Sequence, residues 1–184
     1  MKKIILLTLI LSNLVYGEIH KEAQVCNESG KICFFWWPKL PSVEGWEQDV
    51  RHSYHYRMNT QAPTGFTFAN AEAVIYARAD LKDDVTVKKS LKEFIEFSQN
   101  QFTSAAPSKT KISKVGEFKS KGQPVFYSYS FIPESQGNFE HVSYAEETDK
   151  DGNEYFVIFA ISSRSNEELE NRVADYYKFI ENYQ

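Results

Sequence analysis

Residues 155–161, Tyr155-Phe156-Val157-Ile158-Phe159-Ala160-Ile161, are apolar at every position and follow the turn-forming Asp149-Lys150-Asp151-Gly152-Asn153. A strand with one wet face alternates, so an unbroken run rich in β-branched and aromatic residues predicts a strand covered on both faces, inside a sheet. Beyond it, Leu169, Val173, Tyr176 and Ile180 recur at helical spacing, and Ser165 with Glu168 has the spacing of a capping box. A helix packed on the sheet is therefore predicted from Ser165 to the C-terminus.

The same patterns divide the rest of the chain. Residues 73–79 form a second apolar run, followed after a polar break at 80–84 by a helical pattern over about 87–102, with Leu91, Phe94, Ile95, Ser98 and Phe102 on one side. Residues 112–119, 125–132 and 139–147 predict a meander of strands joined by turns. Val50, His52, Tyr54 and Tyr56 alternate with Arg51, Ser53, His55 and Arg57, a period of two that predicts a strand with one wetter face; 61–65 reads as a turn and 66–69 as extended. Asp151-Gly152 suits a tight hairpin, because glycine accepts the positive φ such turns require.

Ile32-Cys33-Phe34-Phe35-Trp36-Trp37 is the most aromatic stretch and reads as a first strand stopped by Pro38 and Pro41. Neighbouring side chains of a strand point to opposite faces, so Phe34 and Trp36 lie opposite Phe35 and Trp37. Both pairs are buried only if both faces are covered. Phe34, Phe35, Trp36 and Trp37, with Trp46, are therefore the candidate interaction surface, the alternative being that they are core.

Charge and the N-terminus add a compartment. Met1-Lys2-Lys3, an apolar stretch over 4–10 and Val15-Tyr16-Gly17 have the form of a secretory signal peptide over residues 1–17, so a periplasmic or secreted protein is expected. Without Lys2 and Lys3 the 21 basic residues fall to 19 against 25 acidic ones, a net charge of −6. Nucleic acid and anionic membrane surfaces attract basic footprints, so neither is expected as a partner. Cys26 and Cys33 bracket an Asn/Ser/Gly turn and in an oxidising compartment read as a disulfide. The chain then divides into the signal peptide, a stapled aromatic segment over 18–45, and a main domain over 46–184.

Candidate chemistry is sparse. His52 and His55, three apart on a strand, would point to opposite faces and could not close on one metal ion. His141 and Ser143 would share a face with Glu140 and Glu147 nearby in sequence, but there is no Gly-x-Ser-x-Gly nucleophile turn and no phosphate-cradling glycine loop. No catalytic residue, metal or cofactor is expected.

Gly65-Phe66-Thr67-Phe68, the run over 73–79, the hairpins between 112 and 147, and the strand and helix over 157–180 together resemble the PsbP-like α/β/α sandwich. That is the fold of an extrinsic photosystem II subunit, a yeast Ran-binding nuclear-transport factor and many small bacterial envelope proteins. The resemblance covers about residues 46–184 and implies an α+β fold with two long helices and a largely antiparallel sheet of about six or seven strands. It also implies a non-enzymatic binding or accessory role, immunity to a secreted toxin being one form of it. The expectation is thus an exported module that binds another envelope or secreted protein. The alternative is a carrier of a small apolar ligand in a pocket lined by Trp36, Trp46, Tyr54 and Tyr127, and a hydrolase using His141 or His52 comes third.

Overall fold

A computed structural model of the protein describes residues 18–25, 30–84, 90–122 and 124–184. The centre of the fold is strand β9 (Glu154–Ser163), in which every residue from Tyr155 to Ser163 is buried. It lies between β5 (Ala73–Leu81) and β8 (Phe139–Thr148), with Ala77 opposite Phe159 on one side and Val142 opposite Ala160 on the other. The meander continues outward through β7 (Val125–Pro133) to β6 (Thr110–Lys119) at one edge. At the other edge β2 (Ile32–Pro38) meets β5 at Trp36 and Ala79, and β1 (Ile19–Val25) pairs with β2. The short hairpin of β3 (Trp46–Gln48) and β4 (Asn59–Pro63) joins β5 through Asn59, Thr60 and Gln61, so one edge of β5 is shared between β4 and β2. All pairings are antiparallel, and among the described residues the sheet has nine strands rather than six or seven.

Helix α3 (Asn166–Asn182) covers one face, setting Leu169, Tyr176, Phe179 and Ile180 against Ile75, Ala77, Val157, Phe159 and Ile161. Helix α2 (Leu91–Ala105) lies on the other, where Phe94 stacks on Phe156 with ring centroids 4.4 Å apart. Each such large side chain, taken wholly out of water, contributes about 1.5–3 kcal/mol, which is why both long helices dock on β9 and its neighbours. This is an α+β sandwich. Ser90 and Glu93 satisfy each other's backbone N–H groups at the start of α2, and Ser165 accepts from the Glu168 N–H at the start of α3.

Three expectations are corrected. Residues 50–57 do not form a strand: Val50–Tyr56 is a short helix, α1, because the Asp49 side chain accepts the His52 N–H at its N-terminus and the buried Ser53 hydroxyl bonds Asp49 O. Residues 66–69 form turns rather than an extended segment, and β4 occupies part of the expected turn at 61–65. Helix α2 is described from Leu91, and residues 87–89 of its expected start lie outside the described ones. Strand β1 was not foreseen, because its sequence carries His20, Lys21 and Glu22 and gives no apolar run. The expected signal peptide also lies outside the described residues, and no helix among those described is long and apolar enough to cross a membrane. Nor is the Cys26–Cys33 staple a contact between described residues: Cys26 lies outside them, and Cys33 sits in β2 opposite Gln24 with no free thiol.

Candidate functional site

The aromatic segment is split by the alternation of β2. Phe35 and Trp37 turn to the α1 side, where both pack edge-on against Tyr54, and they are buried. Trp46 is buried on the α3 side, edge-on to Phe179, with its indole N–H donating to Asp175 Oδ2 at 3.2 Å. Phe34 stays 54% exposed and Trp36 half-buried. On the same face of the β1–β2 hairpin, Ile32 (58% exposed) pairs with Val25 (61%), so Val25, Ile32 and Phe34 form a continuous apolar strip. The Lys21 ammonium lies 4.3 Å from the centroid of the Phe34 ring and 5.9 Å from that of Trp36. Of the five aromatics marked in the sequence, three are therefore core and two reach the surface.

The opposite face of the sheet holds a second feature. Helix α2 covers it only in part, leaving a cleft of about 430 Å³ between α2, β5, β8, β9 and the segment that follows α1. At its base is Glu140 on β8, only 6% exposed. Ser162 donates to Glu140 Oε1 at 2.7 Å and itself accepts from Asn138 Nδ2 at 3.0 Å, while Tyr76 reaches Oε2 only at 3.4 Å. Burial pushes the Glu140 carboxyl up to about 7, against the pull of those two hydroxyls. Tyr56, Phe68, Tyr76, Phe102 and Tyr144 supply aromatic wall. Glu140 also lines a smaller neighbouring cleft with Phe102, Asn138 and Pro133, so it is shared between two openings. The sequence marked Glu140 only as a neighbour of His141. The available signal was an acidic residue on the face of a strand whose companions, Val142 and Tyr144, are core.

The histidines and Ser143 do not converge. His52 Nδ1 lies 2.6 Å from Asp49 Oδ2 beside α1. His141 is on the α3 face with Nδ1 3.0 Å from the Tyr177 hydroxyl, and burial lowers its pKa. Ser143 is wholly buried, 2.5 Å from Ser128 Oγ, and accepts from the Tyr176 hydroxyl at 2.6 Å. Glu147 is buried against Tyr183, and no group of three or more His, Cys, Asp or Glu among the described residues could hold a metal ion.

No protein-family model matches the chain, and no curated protein matches it. Among solved structures it is similar to the Saccharomyces cerevisiae Ran-binding protein Mog1p, at 12% identity and a TM-score of 0.41, covering 86% of this chain and 85% of that one. A point mutant of Mog1 gives 12% identity and 0.41 over 85% and 84%. These likenesses reach the general α+β sandwich and do not support the narrower PsbP-like assignment. The exported accessory role, with its immunity form, and the periplasmic or secreted localisation expected above find no support in these likenesses and are not carried further. The apolar-ligand carrier is withdrawn on geometry as well: Trp36, Tyr127, and the pair Trp46 and Tyr54 line three different clefts instead of one pocket.

Proposed function

We propose that the chain is a non-catalytic protein-binding domain whose contact surface is the apolar strip of the β1–β2 hairpin. The observation that carries this reading is the juxtaposition of Val25, Ile32 and Phe34, each more than half exposed, on one face of two paired strands at the sheet edge. Scattered exposed apolar residues are ordinary, but a contiguous set on a rigid element exposes hydrocarbon that a partner would cover. Phe35 and Trp37, anchored beneath by Tyr54, hold the strand so that Phe34 and Trp36 are presented from a fixed backbone. Lys21 above Phe34 adds a cation at the rim, which suits a partner surface with an acidic group beside an apolar one. A protein as partner also agrees with the similarity of the structure to a Ran-binding protein.

The test is capture of partners from an extract by tagged protein and by its Ile32→Ser/Phe34→Ser variant, with thermal unfolding of both. A stoichiometric protein partner held by the parent chain and lost from the variant, with melting unchanged, supports the surface. Undiminished capture by the variant rejects it. Phe35→Ala, by contrast, should destabilise the fold by about 3–5 kcal/mol, because it empties a core site.

A further inference from the structure

The cleft around Glu140 lies across the sheet from the hairpin strip and plays no part in the proposed protein contact. We propose that it is a binding site for a small organic cation, a protonated amine carried on an apolar or aromatic body.

Glu140 lies between Phe131 on β7 and Ser162 on β9, and the neighbouring positions on its own strand face, Val142 and Tyr144, are core. A packed apolar side chain there would complete that core without the cost of desolvating a carboxylate. The chain instead keeps an acid at the base of an opening and gives it little compensation: one good hydrogen bond to Oε1 from Ser162 and a long one to Oε2 from Tyr76. No cation pairs with Glu140 among the described residues. The two guanidinium groups of the cleft are engaged elsewhere, Arg78 with Asp80 at 3.4 Å and Arg164 with the carbonyl of Ala69 at 2.9 Å and Glu72 at 3.8 Å. The carboxylate is left under-satisfied and faces aromatic rings of Tyr56, Phe68, Tyr76, Phe102 and Tyr144, whose faces attract cations. The apolar wall takes the body of the ligand while Glu140 fixes its charged end, the usual division of labour in small-molecule sites. None of the aromatics of the withdrawn carrier reading lines this cleft.

The remaining groups facing Glu140 leave the charge logic intact. Tyr76 and Tyr144 stay neutral, since burial raises both well above neutrality, Tyr144 to about 12. Helix α2 contributes Ser98, whose hydroxyl is 3.1 Å from that of Tyr144, and no charged group to the lining. An ammonium in the cleft would stabilise the ionised form of Glu140, so binding and deprotonation reinforce each other.

The experiment uses 2-phenylethylamine as the probe against two isosteres, neutral 2-phenylethanol and anionic 3-phenylpropionate, followed by titration with protein-observed NMR. The expected result is saturable binding of the amine, with shifts at Tyr76, Glu140 and Ser162, and no measurable binding of the propionate. Affinity for the amine should rise between pH 5.5 and 8 as Glu140 ionises, and Glu140→Gln should lower it by about tenfold, the loss of one charge-assisted hydrogen bond. No saturable amine binding, or equal binding of the anionic isostere to the parent chain, overturns the proposal without recourse to any variant. Unchanged amine affinity in a folded Glu140→Gln protein overturns it as well.

Discussion

Tyr183 donates its hydroxyl to Glu147 Oε2 at 2.6 Å, while Oε1 of the same carboxylate has no hydrogen-bond partner among the described residues. Both residues are buried, and burial, with Asp149 adding repulsion, pushes Glu147 up to about 7 in spite of the Tyr183 bond. The contact fastens the end of the chain to β8. Nearby, the N–H groups of Lys121 and Gly122 bond the carbonyls of Glu181 and Tyr183. Gly122 has no room for a side chain, because a Cβ there would stand 2.7 Å from Gln184 Cα. Tyr183→Phe leaves the Glu147 carboxyl without its donor and should cost about 1–3 kcal/mol in urea unfolding, more at pH 8 than at pH 5, where the carboxyl is protonated and neutral. Equal stability of the two proteins at pH 8 would show that the bond contributes nothing.

Helix α1 depends on one residue outside it. Asp49 accepts the N–H groups of His52 and Phe68 and the ring nitrogen of His52 lies beside it, so its carboxyl stays below the usual range although burial pushes the other way. By joining the first turn of α1 to the loop at Phe68, Asp49 sets one wall of the Glu140 cleft. Asp49→Ala should destabilise the protein by about 1–2 kcal/mol and speed amide exchange in Val50–Tyr56 before it affects β8 or β9. Exchange in α1 as slow as in the parent protein would show that packing of Tyr54 on Phe35 and Trp37 holds the helix without its cap.

For the whole molecule, two carboxyls pushed up to about 7 on opposite faces of one sheet set a pH dependence, and burial raises that of Asp80 in the same sense. Glu140 and Glu147, both near 7 when folded and near 4.5 when unfolded, bind more protons in the native state over that window, so their contribution falls as pH rises through about 7. Asp49, Asp149 and Asp175 are depressed, with hydrogen bonds outweighing burial, and stabilise the fold above about 4 until acid protonates them. His141, lowered by burial, works the other way as pH passes about 6.5, but one imidazole is outweighed by two carboxyls. The melting temperature should therefore peak between about pH 4.5 and 6 and decline toward pH 8. A Glu140→Gln/Glu147→Gln protein should show a flatter limb above pH 6, and a melting profile that rises from pH 6 to pH 8 in the parent chain contradicts the assignment.

Residues 155–161 and the stripe from Leu169 to Ile180 determined the central strand, its burial on both sides and the terminal helix, because periodicity and continuous apolarity are local properties. The meander was legible for the same reason, its strands long and separated by turn residues. The segment 50–57 was not: its apolar positions fit a period of two, and what made it a helix was Asp49 held between His52 and a loop sixteen residues farther on. Strand β1 likewise exists through pairing with β2, which its own polar sequence does not announce. The aromatics of β2 were visible as two opposed pairs, but only the position of Tyr54 decided that Phe35 and Trp37 are covered and Phe34 is open. Glu140 is the clearest case. An acid on a strand reads as a wet position until β7, β9 and α2 enclose it, because burial and the pKa that follows from it belong to the neighbours that the fold brings in rather than to the residue itself.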